Sequence, residues 1–231
     1  ERTEALTLGN MGNLHRQAGG FAEAQAHYEQ ALEILRRVGD GRMEAIQLGN
    51  MGLLVQEMGR LDEARDHFER AVQLARTAED RRSEAVALGF LGCLFMEKGD
   101  LDEARSRLKK AVNLIRQVGD RRFEGLFLAF FGAVEAALGR SDESRNALDA
   151  SARILREVQD NHGLSVLTIY EGMRDVLKAE EARATGNENE ANRHFESARK
   201  RLVAPRAGSP SLAQQSDIIR TALRILERAA T

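Results

Sequence analysis

The chain has 231 residues, 42% of them apolar and 30% charged, with a net charge of −2. That balance fits a soluble, helix-rich protein and offers no basic field to draw nucleic acid or an anionic membrane surface. A single cysteine excludes an internal disulfide and a cysteine-based metal cluster, and points to a reducing, cytoplasmic setting. No run of about 20 residues is apolar and free of charge, so no membrane span is expected. Glu1 falls in mid-pattern, and the chain reads as a piece of a longer protein.

Four units align without gaps at 1–40, 41–80, 81–120 and 121–160. Each reads as two amphipathic helices broken at a corner, most plainly in Glu84 to Arg116, which breaks at Lys98-Gly99-Asp100. The corner holds Gly19, Gly59, Gly99 and Gly139 at one phase, and the first helix holds Gly12, Gly52, Gly92 and Gly132. A glycine costs roughly 1 kcal/mol against alanine in a helix interior. Four at one phase predict a crowded contact with no room for a side chain. The second helix carries small residues seven apart, Ala24 and Ala31, Ala64 and Ala71, Ala104 and Ala111, Ser144 and Ser151. They share one face and admit a close neighbour.

Each unit closes on Asp40, Asp80, Asp120 or Asp160, placed to cap the helix that follows. Each aspartate also lies four residues after Arg36, Arg76, Arg116 or Arg156, the spacing of an exposed ion pair. A fifth, divergent unit spans 161–203, with its corner at Gly186-Asn187 and Glu190-Ala191 seven residues late. Seven residues are about two helical turns, so its first helix lengthens without rotating its buried face. Residues 204–210 read as a linker and 211–231 as an amphipathic helix, apolar through Leu212, Ile218, Ile219, Leu223 and Leu226.

No catalytic set emerges, and neither an enzyme nor a cofactor is expected. Of the five histidines, His27 and His67 share a column one unit apart, about 10 Å, too far for one metal. His15, His162 and His194 have no partners by pattern. Asp62-Glu63 and Asp102-Glu103 open second helices, where the helix dipole favours acids. Gly19-Gly20 is a corner and not a phosphate loop.

The order Leu-x-x-[Met/Leu/Phe]-Gly, a glycine seven residues on, Glu-Ala or Glu-Ser, an aromatic or leucine, then a small residue resembles the tetratricopeptide repeat. Gly12, Ala24 and Ala31 carry its spacings. The forty-residue period and Leu8-Gly9-Asn10 and Leu48-Gly49-Asn50 are similar to its long-repeat branch. That branch includes LGN-type G-protein signalling modulators and arrays in bacterial signalling proteins. The first-helix end departs from the usual aromatic at His15, Val55 and Glu135.

The resemblance implies an all-α, right-handed superhelix of helical hairpins with a C-terminal helix, whose first helices line a concave groove. It places Asn10, Asn50, Phe90, Phe130 and Tyr170 in one groove column, and Asn13, Cys93 and Met173 in the next. Arg16, Gln56 and Met96 lie further along. The groove would then run from amide-lined to apolar, fit for a protein or peptide segment with an extended polar part and an apolar anchor. Residues 123–138 carry only Glu124 and Glu135 as charges, so Phe127 and Phe130 call for a cover. That cover is expected from a ligand, from another copy by self-association, or from the chain's own helix at 211–229. The alternative target of that helix is the fifth hairpin around Val176, Phe195 and Leu202. The function expected is a non-catalytic protein-interaction scaffold. Its alternative is a regulatory region of a larger signalling protein, acting on its own neighbouring domain.

Overall fold

The structure is a computed structural model and describes residues 1–203. The linker at 204–210 and the helix expected at 211–231 lie outside the described residues. Every element described is an α-helix: α1 (Arg2–Gln17), α2 (Phe21–Val38), α3 (Gly41–Glu57), α4 (Leu61–Thr77), α5 (Arg81–Lys98), α6 (Leu101–Val118), α7 (Arg121–Ala137), α8 (Ser141–Glu157), α9 (Asn161–Ala184) and α10 (Glu188–Val203). Contacts divide the chain into Glu1–Leu94 and Phe95–Thr231, with the boundary inside α5.

In the first unit α1 pairs with α2 and α3 with α4. A β-carbon on Gly12 would lie 2.5 Å from the ring of Tyr28, and one on Gly52 2.7 Å from the ring of Phe68. These glycines let the two helices of a hairpin close on a buried aromatic ring. Ala24, Ala31, Ala64 and Ala71 are fully buried beside those rings in sequence. Gln47 of α3 lies against Gly9 of α1, where a β-carbon would stand 2.2 Å from its amide nitrogen.

The second unit repeats the device. A β-carbon on Gly132 of α7 would meet Leu148 of α8 at 2.7 Å, and one on Gly172 of α9 would meet Leu202 of α10 at 2.7 Å. The glycine column therefore extends into the last hairpin. There α9 has 24 residues against 17 in α7. The added turns move the contact away from the corner on both arms.

Asp40, Asp120 and Asp160 each accept a hydrogen bond from the backbone N–H three residues on. Asp80 accepts from both the backbone N–H and the hydroxyl of Ser83. The capping role read from sequence is present in both units. The pairing of these aspartates with the arginine four residues earlier is not. Arg36, Arg76 and Arg116 instead donate to Glu44, Glu84 and Glu124 in the following helix, at 2.9, 2.9 and 2.8 Å. Glu44 and Glu124 are 7% and 3% exposed. A buried carboxylate is costly to leave unpaired, whereas the aspartates already hold a backbone N–H. The aspartates take their arginine from the preceding first helix: Arg2 to Asp40, Arg42 to Asp80 and Arg122 to Asp160, at 3.2, 2.9 and 3.0 Å.

Candidate functional site

Residues expected in the groove divide by exposure along the unit boundary. In the first unit Asn10 is exposed, and Asn13, Arg16, Asn50 and Phe90 are half-buried. The Tyr28 hydroxyl donates to Asn13 Oδ1 at 2.7 Å, which anchors the amide and leaves its N–H₂ to point elsewhere. Asn50 donates to Gln47 Oε1 at 3.3 Å. Arg16 forms an ion pair with Glu57 of α3. Burial pushes the Glu57 carboxyl above its ordinary range, and the Arg16 charge beside it works the other way. Phe90 stacks with Phe68 at 6.2 Å between ring centres. Gln56 and Cys93 are buried, at 3% and 6% exposure.

In the second unit the expected anchor surface is closed. Met96, Phe127, Phe130, Tyr170 and Met173 are all buried. Helix α9 packs directly on α7, and the Tyr170 ring meets Phe130 edge-on at 5.3 Å. Phe127 stacks with Phe123 at 5.5 Å. The cover that Phe130 receives is Tyr170, a member of the same column one repeat later. Those aromatics act in packing between successive first helices, where an open apolar anchor was expected.

Two further polar sets were missed by sequence reasoning. The buried glutamates Glu44 and Glu124, with Glu84 at the same phase, were visible as a column but carried no sign of their burial. In the second unit Glu135 is fully buried and accepts from Arg105 at 2.7 Å. Asp175, one period later, accepts from Ser197 at 2.7 Å and from Arg201 at 2.8 Å. Among the described residues no group of three or more His, Cys, Asp or Glu is placed to hold a metal ion. Nor is any described helix long and apolar enough to cross a membrane.

The hairpin chemistry and the glycine, alanine and aspartate columns extend over nearly all of the described chain, and a family model for the MalT-like TPR region matches residues 2–204. The chain belongs to that family. Its fold is the all-α solenoid of tetratricopeptide repeats. No curated protein matches this TPR region in sequence. Among solved structures it is similar to aspartyl phosphate phosphatase F from Bacillus subtilis, with a TM-score of 0.69 and 11% identity over 90% of this chain and 62% of that one. It is similar to the Rap conjugation gene regulator of the plasmid pLS20 in complex with the Phr* peptide, with a TM-score of 0.65 and 15% identity over 100% of this chain and 65% of that one. It also resembles a putative kinesin light chain of Podosopora anserina with nearly identical TPR-like repeats, with a TM-score of 0.61 and 15% identity over 88% and 97% of the two chains. At these identities the likeness is one of fold. The TPR region spans less than two thirds of the first two chains.

Proposed function

We propose that this TPR region is a non-catalytic interaction module that binds an extended protein segment on the first-helix face of its first unit. The observation that carries this reading is the exposed or half-buried polar set on α1 and α3. Asn10 is open, while Asn13, Arg16 and Asn50 are held in place by Tyr28, Glu57 and Gln47. Amides fixed in this way present both a donor and an acceptor at low ordering cost, which suits the main chain of an extended peptide. Phe90 supplies a half-buried ring on the same face of the repeat. The pLS20 regulator, similar in fold, was solved with a peptide, which supports the choice of ligand class. Self-association and docking of the segment 211–229 stay proposals of the same rank as the ligand's identity.

The test is a peptide selection from a displayed random library, followed by affinity measurement with the best binder. Asn10→Ala combined with Asn50→Ala should weaken binding at least about tenfold, the loss of one or two good hydrogen bonds. Glu33→Ala on α2 should leave it unchanged. The reverse outcome would place binding on the second-helix face and overturn the reading.

A regulatory role within one longer polypeptide is a second reading. Its support is that the chain covers only 62% and 65% of the phosphatase and regulator chains it resembles. A full-length protein whose other domain changes activity when the peptide binds would favour it.

A further inference from the structure

Four repeats in one register provide an internal control for burial. Position by position, the first helices carry similar side chains, so a difference in exposure reports a difference in neighbours. Leu14 of α1 is 66% exposed, whereas Leu54, Leu94 and Val134 at the same phase are 0% exposed. Met11 is 40% exposed, against 3% and 1% for Met51 and Leu91. Leu6 is 45% exposed, and its counterparts Ile46, Val86 and Leu126 are half-buried.

The charges on the same helix agree. Glu44, Glu84 and Glu124 each accept an arginine from the preceding second helix. Glu4 holds the same place in α1, is exposed, and pairs with no such arginine among the described residues. So α1 presents an apolar stripe and a carboxylate in the arrangement that later first helices use to receive a hairpin.

We propose that the open face of α1 is the docking surface for one further helical hairpin of the same repeat class, supplied by the polypeptide ahead of Glu1. The register specifies this occupant. Its second helix carries an arginine at the fifth residue before Glu1, to meet Glu4 as Arg36 meets Glu44. It carries small residues at the tenth and seventeenth positions before Glu1, the phases of Ala31 and Ala24. A second copy of the chain does not fit as well. In α10 the large apolar side chains Phe195 and Leu202 are already buried, at 8% and 3% exposure, so α10 has no free stripe of its own to offer. Covalent attachment also favours the upstream source. Only Gly39 and Asp40 separate α2 from α3, and a link that short holds the incoming helix at a high effective concentration.

The experiment compares the 231-residue chain with the same chain extended by the forty residues encoded ahead of Glu1. Extension should slow amide hydrogen exchange in α1 by at least about tenfold as local opening is suppressed. Leu14→Asp should leave the melting temperature of the 231-residue chain within about 1 °C. In the extended chain it should lower the melting temperature by several degrees or prevent folding. An open reading frame that supplies no hairpin with these residues ahead of Glu1 overturns the proposal. So does an extended chain in which α1 exchanges as fast as before. A concentration-dependent dimer of the 231-residue chain that Leu14→Asp dissociates would assign the face to a second copy and also overturn it. None of these readouts involves the peptide-binding residues, so this inference and the proposed function fail separately.

Discussion

Ser144 and Ser151 stand where the earlier repeats have alanine, and both are fully buried on α8. The Ser151 hydroxyl donates to the carbonyl of Gly125 at 2.7 Å. The Ser144 hydroxyl finds no hydrogen-bond partner. The same substitution should therefore act in opposite directions at the two sites. Ser144→Ala removes a buried hydroxyl without a partner and restores the repeat's alanine, which should stabilise the protein by about 1 kcal/mol. Ser151→Ala removes a made hydrogen bond and should destabilise it by about 1 kcal/mol. Urea unfolding of the two variants beside the parent checks both, and a shift of the same sign in both would refute the distinction. The sequence marks the two serines as equal departures from the repeat. Whether a hydroxyl finds an acceptor depends on an interhelical distance, and no spacing along the chain encodes that.

Helix ends show the repeat at the next scale. Helices α2 and α6 end on Gly39 and Gly119, with φ of 70° and 81°, in the left-handed region that glycine enters freely. At the matching ends of α4 and α8 stand Glu79 and Gln159, with φ of 53° and 54°. A residue with a β-carbon pays about 1 kcal/mol or more there. Glu79→Gly and Gln159→Gly should each raise stability by about 0.5–1 kcal/mol, since the added freedom of the unfolded glycine offsets part of the relief. Differential scanning calorimetry would read this as a rise of a few degrees, and a fall in both variants would show that the left-handed turn costs little here. The hairpins themselves were legible because a forty-residue period repeats every glycine, alanine and aspartate that shapes them. The lengthened α9 was legible too, because an insertion of two turns preserves the buried face. The candidate site was legible only in part. Asn10, Asn13, Arg16, Asn50 and Phe90 remain accessible, but the column that places them also holds Phe130 and Tyr170, which bury each other. A column names positions at one phase, and it does not say how closely successive helices approach at that phase.

At the scale of the whole molecule, three titrating groups set how stability responds to acid. Burial disfavours the charged forms of Asp80 and Asp160. For Asp80 the Ser83 backbone N–H, the Ser83 hydroxyl and Arg42 outweigh it, and for Asp160 the Gly163 N–H and Arg122 do the same. Both carboxyls are therefore held below the ordinary aspartate value of 3.8. A depressed carboxylate contributes stability that is present above its unfolded value and is lost as pH falls through its folded value. The loss from these two caps thus falls below about pH 4. His67 adds an earlier step. Burial lowers it below 6.5, against Glu63 and Asp66, which raise it, while Arg36 assists the lowering. Its contribution is present above 6.5 and is lost as pH falls through its depressed folded value. Glu57 runs the other way. Burial raises it, so its contribution is present at low pH and is lost as pH rises through its folded value. The melting temperature should accordingly fall in two steps on acidification from pH 7.5, a shallow one below about 6.5 and a steeper one below about 4. His67→Gln should remove the shallow step and leave the steep one. Asp80→Asn combined with Asp160→Asn should lower the melting temperature at pH 7 and flatten the steep step, because the caps that acid would remove are already gone. A pair of variants whose acid profiles superimpose on the parent's would show that these aspartates do not set the acid limit of the fold.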